Sequence, residues 1–129
     1  MASKQTLGGM AQHNPAARIR CKVWIEHADE VLLSEWRVDL LRTIAQTGSL
    51  ARAAAAMDVP YRTAWSRIKE MEARLNIRLL ETEIGGVDGG GSQLTGDARD
   101  LVERFQRVTA GVADLVEERF RDEFGGRLG

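Results

Sequence analysis

The stretch PYRTAWSRIK, from Pro60 to Lys69, gathers side chains suited to recognition rather than bond-making. Tyr61, Arg62, Thr63, Trp65, Ser66 and Lys69 supply a guanidinium, an ammonium, three hydroxyls and two aromatic rings. A planar guanidinium fork matches phosphate oxygens and the paired acceptors of a guanine edge. Hydroxyls and an ammonium suit phosphate contacts. Catalytic chemistry finds no support in the chain: there is no nucleophile–base pair and no pair of acids in a plausible cleft, so the expectation is a protein that is not an enzyme. His13 and His27 have no partner at ligand spacing, and no metal site is read. Cys21 is the single cysteine, which makes no internal disulfide and fits a reducing, cytoplasmic setting.

Two short helices must position these residues. Ser49 is a good N-cap for a helix over Leu50–Met57, in which Ala53, Ala54 and Ala56 allow close approach of a neighbour. Asp58-Val59-Pro60 breaks that helix, and Pro60 suits the first turn of the next one. The second helix is expected from Pro60 or Tyr61 to about Leu75. Ala64, Ile68, Met71 and Leu75 share its buried face, and Arg62, Ser66, Lys69 and Ala73 lie opposite. Tyr61 and Trp65 sit on one flank, Thr63 and Glu70 on the other. Two helices, a three-residue turn and a small-residue contact make a helix-turn-helix, whose second helix presents groove-reading residues. Arg62 is assigned a base edge, and Tyr61 and Thr63 a phosphate or thymine methyl. Ser66 is assigned a base or phosphate, and Lys69 and Arg52 neutralisation of backbone charge. Trp65 is read as half-packed against the following wing. Glu70 and Glu72 are read as solvated surface charge.

The flanks complete the plan. Residues 22–34 alternate in the manner of a β-hairpin, with Ala28-Asp29-Glu30 as the break. Trp36, Leu40, Leu41 and Ile44 mark one face of a helix over Glu35–Thr47, stopped by Gly48. After the recognition helix, a strand over Leu79–Ile84, a tip holding Gly85, Gly86, Gly89, Gly90 and Gly91, and a returning strand Gln93-Leu94-Thr95 form a wing. The glycines are not a P-loop, because Gly91 stands where Lys is required. Thr95 then caps a last helix running to about Phe124. Its stripe of Ala98, Leu101, Phe105, Val108, Val112 and Leu115 has a heptad rhythm and is read as a dimer seam. Gly111 is read as a close backbone crossing.

The 129 residues suit one domain, expected over 22–124 between flexible ends at 1–21 and 125–129. No apolar run is long enough for a membrane span, and residues 1–20 hold no secretory h-region. Net charge is −1, yet residues 49–80 carry six basic residues against three acids, while residues 96–124 carry five against eight. Fifteen of the eighteen basic residues are Arg. The fold class expected is mostly α with small β elements: a winged helix-turn-helix with an N-terminal hairpin and a long C-terminal dimerisation helix.

The segments TGSLARAAAAMDVPYRTAW, EMEARL and ETEIGGVDGGGSQLT together resemble the DNA-binding domain of ModE-type molybdate-responsive regulators. Ser49–Leu80 is also similar in length and pattern to the LysR-type winged helix-turn-helix. The resemblance covers roughly residues 22–120. It implies a cytoplasmic, nucleoid-associated homodimer that binds double-stranded DNA at a palindromic operator, as a repressor, in molybdenum or oxyanion homeostasis. Ser49, Arg52, Pro60, Tyr61, Arg62, Thr63, Trp65, Ser66 and Lys69 are the DNA-binding candidates on that view. Two departures stand out. The C-terminal domains that bind molybdate in full-length members are not in this chain, so no cofactor and no small-molecule effector is assigned to it. The wing tip holds Val87 and Asp88 where such wings often carry Lys. The alternative reading is a winged-helix interaction or dimerisation module without DNA specificity of its own.

Overall fold

A computed structural model describes residues 17–83, 91–125 and 127–128. Strand β1, Trp24–His27, pairs antiparallel with β2, Glu30–Ser34. Ala28 and Asp29 link them with φ of 52° and 64°. Two consecutive left-handed residues make the tight turn whose twist matches a hairpin. Glu30 belongs to β2 and pairs with His27, so the break is one residue shorter than the composition indicates. The register shifts between Ile25 and Glu26, and only Leu33 of this hairpin is fully buried.

Helix α1, Glu35–Thr47, starts where the Ser34 side chain accepts from the Arg37 N–H. It ends at Gly48, whose φ of 82° lets its N–H reach the Ile44 carbonyl. Helix α2, Leu50–Ala56, is capped by Ser49, whose hydroxyl accepts from the Arg52 N–H at 2.9 Å. Its early stop has a definite cause. Asp58 is left-handed, its N–H reaches the Ala55 carbonyl, and the Val59 N–H reaches that of Ala54. This is a complete Schellman closure, with half-buried Val59 packed on the core. Helix α3, Tyr61–Leu75, follows at once, and the Pro60 carbonyl accepts from Thr63 and Ala64.

Strand β3, Leu80–Glu83, pairs with β4, Gly91–Leu94, in the register Leu80↔Leu94 to Glu83↔Gly91. Leu79 precedes the strand and is fully buried, and the return strand begins at Gly91 rather than Gln93. Ile84, Gly85, Gly86, Gly89 and Gly90 lie outside the described residues. The Ser92 N–H donates to the Gly48 carbonyl, tying the wing to the end of α1. Thr95 then caps helix α4, Gly96–Thr109, by accepting from the Ala98 N–H.

The core is apolar throughout the described residues, with Leu40, Leu41, Ile44, Ile68, Met71 and Leu79 fully buried. Val38 and Val102 join it without having been foreseen, and Ala56, expected at a helix contact, is exposed.

The helical C-terminal segment is present in two lengths. Helix α4 ends at Thr109, and α5 runs Val112–Phe124. Ala110 is extended, with ψ of 124°, and Gly111 is left-handed, with φ of 76°. Within the chain, a side chain at Gly111 would meet no described atom within 4 Å, so no crossing by its own described residues accounts for the glycine. It serves a turn instead. The chain divides here into two compact units, one of Lys22–Ala110 and one of the residues before and after it. Within the second, Ile19 and Cys21 border a cleft of about 450 Å³ with Val116 and Phe120 of α5.

Candidate nucleic-acid interface

The 3.6-residue period of α3 sends Ala64, Ile68 and Met71 into the core and turns the intervening side chains outward. Tyr61 is 51 % exposed and Trp65 48 %. Arg62, Ser66 and Lys69 are exposed, and Thr63 is half-buried. Arg62 holds no hydrogen bond or ion pair among the described residues, which leaves its guanidinium free for a partner. Lys69 Nζ lies 5.7 Å from the Trp65 ring centroid and 3.3 Å from Glu72 Oε1. Tyr61, Arg62, Trp65, Ser66 and Lys69 therefore share the open side of the helix, and Thr63 lies half-buried at its far flank. Arg52 is exposed on α2. Ser49 and Pro60 are occupied differently: the Ser49 hydroxyl caps α2, and Pro60 begins α3. Both fix the turn, and Pro60 is also exposed while Ser49 is half-buried.

The far end of α3 is anchored, and this anchoring escaped the sequence reading. Arg37 of α1 donates through Nη2 to Glu70 Oε1. Arg74 reaches the same oxygen at 3.4 Å, donates to the Val31 carbonyl at 2.8 Å, and lies 3.6 Å from Glu30. Glu70 thus joins α3 to α1 directly and to the hairpin through Arg74. The Arg37 hydrogen bond holds its carboxyl below the ordinary value, against a burial effect that raises it. Glu72 is likewise no solvated charge. Burial pushes its pKa up, but the Leu79 N–H at 2.8 Å and the Lys69 ammonium outweigh that and hold it low. Its carboxylate joins α3 to the entry of β3. The (i, i+4) spacing of Glu70 and Arg74 was the one available signal. Arg37, 33 residues away, gave none.

The stripe expected on the C-terminal helix is shared out. Phe105 is buried in the core of its own chain beside Ala98 and Val102. Leu101 and Val112 are half-buried, while Val108 is 61 % and Leu115 46 % exposed. Phe105 is therefore a core residue, and the break at Ala110–Gly111 interrupts the heptad rhythm. No cluster of three or more potential metal ligands occurs among the described residues, and none of their helices is long and apolar enough to cross a membrane.

Comparison with known proteins places this geometry. Residues 37–99 match the model of bacterial regulatory helix-turn-helix proteins of the lysR family. The chain is 30 % identical over 116 residues to the molybdenum transport protein ModE of Azotobacter vinelandii, covering 88 % of this chain and 43 % of that protein. It is 41 % identical over 114 residues to the transcriptional regulator ModE of Haemophilus influenzae, covering 71 % of this chain and 45 % of that one. It thus spans less than half the length of either relative. The fold resembles that of the solved CbnR DBD–DNA complex, with a TM-score of 0.52 at 23 % identity over 67 % of this chain and 93 % of that one.

Proposed function

We propose that this chain, which matches the lysR-family helix-turn-helix over residues 37–99 and is similar to ModE regulators, is a sequence-specific DNA-binding transcriptional regulator. The observation that carries the proposal is the open side of α3, where Tyr61, Arg62, Trp65, Ser66 and Lys69 stand exposed on a helix anchored at its other end. Arg62 reads a base edge, Ser66 and Thr63 meet bases or phosphates, and Lys69 and Arg52 neutralise backbone charge. The wing follows the phosphate backbone beside them. The finer reading is a homodimeric repressor on a palindromic operator, its two α3 helices set about 34 Å apart to meet successive major grooves. Leu101 and Val108 of α4 offer the apolar contact to the second copy. Molybdenum or oxyanion handling is the regulated process we assign, on the names its relatives bear, and the cytoplasm is its place of work.

Selection from a random duplex pool, followed by anisotropy titration at two salt concentrations, tests this. The expected outcome is one enriched palindromic sequence, bound with an affinity that falls steeply with salt as phosphate-bound counterions are released. Arg62→Ala should cost about 1–3 kcal/mol of binding and relax the preference at one position. The net charge of −1 and the acidic C-terminal segment favour a second reading, a protein-interaction module. Binding that is flat in salt, with no sequence enriched, would decide for that reading.

A further inference from the structure

Tyr61, Trp65 and Lys69 stand at successive four-residue steps, so they form one row along α3. Half of each aromatic ring is open to solvent. The Trp65 ring has a cationic neighbour that is itself tied to the domain. Lys69 lies over it, Glu72 holds Lys69, and the Leu79 backbone N–H holds Glu72. Two half-exposed aromatic residues on one row of the helix offer apolar surface to a partner. Lys69 and Arg62 lie on the same side of the helix, in a region with six basic residues against three acids, which fits a polyanion rather than an apolar protein segment. In the major groove of a duplex the base faces are hidden in the stack, and only edges are offered. Of the groups on those edges, the thymine C5-methyl is the one apolar group.

We propose that Tyr61 and Trp65 form a reader of thymine C5-methyl groups, so that sequence preference depends on the methyl itself. This rests on the DNA-binding reading above and adds to it the base and the atom that the rings recognise. Arg62 would set the polar register, and the ring pair would set the thymines beside it.

Deoxyuridine provides the test, since it keeps the hydrogen bonds and charge of thymidine and lacks only the methyl. A duplex selected with the unaltered protein is resynthesised with uracil replacing thymine one position at a time. At one or two positions binding should weaken about fourfold, the value of about 0.8 kcal/mol for one buried methyl-sized group. Trp65→Ala and Tyr61→Ala should bring the thymine-to-uracil ratio at their own positions close to one. Tyr61→Phe, which keeps the ring, should preserve it. Both rings lie off the core, and thermal melting of each variant checks that the fold is retained. Equal binding of thymine and uracil duplexes by the unaltered protein would overturn the inference. So would an equal loss of affinity for both duplexes in the alanine variants. Tighter binding to the unpaired strand than to the duplex would overturn it too, by showing that the rings stack on base faces. A pool that yields no selected sequence overturns the regulator reading itself, and is thereby distinct from a selected duplex indifferent to uracil.

Discussion

Arg62 and Glu70 occupy one helix and do opposite work. Arg62 is exposed without a partner among the described residues, whereas Glu70 is engaged by Arg37 and Arg74. The carboxyls of Glu70 and Glu72 are both held below their ordinary value of 4.5, and the sign of the pH effect follows. A group with a depressed folded-state pKa adds stability that is full above its unfolded value and is lost as pH falls through the folded one. Thermal stability should therefore be level near neutrality and decline on acidification below about pH 4.5. Glu70→Gln should lower the neutral-pH melting temperature and reduce the acid-induced decline. A Gln variant whose melting temperature and pH profile both match those of the unaltered chain would remove Glu70 from this role. The open row on α3 was legible because a helix fixes which residues share a side. The Arg37–Glu70 contact was not, because it depends on how α1 lies against α3, and local spacing carries no record of that.

Among elements, the stop between α2 and α3 is the most informative. Sequence placed it correctly at Asp58-Val59-Pro60, since Pro60 cannot continue a helix. The mechanism became visible only in the backbone, where Asp58 takes a left-handed conformation at φ 57° and two N–H groups fold back on α2. Asp tolerates that conformation, but a β-branched side chain does not. Asp58→Val should destabilise the domain by about 1–2 kcal/mol, while Asp58→Gly should not. Chemical denaturation of the two variants would check this, and equal stability would show that the turn has another conformation. The C-terminal helices teach the complementary lesson. Apolar residues continue in heptad rhythm past residue 110, so the stripe alone predicted one helix. Extended Ala110 and left-handed Gly111 together end α4 and begin α5.

For the molecule as a whole, net charge concealed more than it disclosed. A value of −1 hides a basic α2–α3 region and an acidic C-terminal segment, and only their separation points to a polyanionic partner. Dimerisation belongs to this scale as well. Val108 is the most open large apolar side chain on α4, and Val108→Glu places a charge where the second copy is expected. Sedimentation should show a dimer for the unaltered chain and a monomer for the variant, with affinity lost for the full palindrome. A monomeric unaltered chain would exclude the homodimer, and a variant that stays dimeric would move the interface elsewhere. The bond from the Ser92 N–H to the Gly48 carbonyl also orders events in time. Helices α1, α2 and α3 meet through short connections, whereas β4 and α4 return to α1 only after the whole of α2, α3 and β3 has been laid down. Chain entropy delays such long closures. The wing is therefore expected to dock after the helices have met, and slower amide exchange in α1 than at Ser92 would show it.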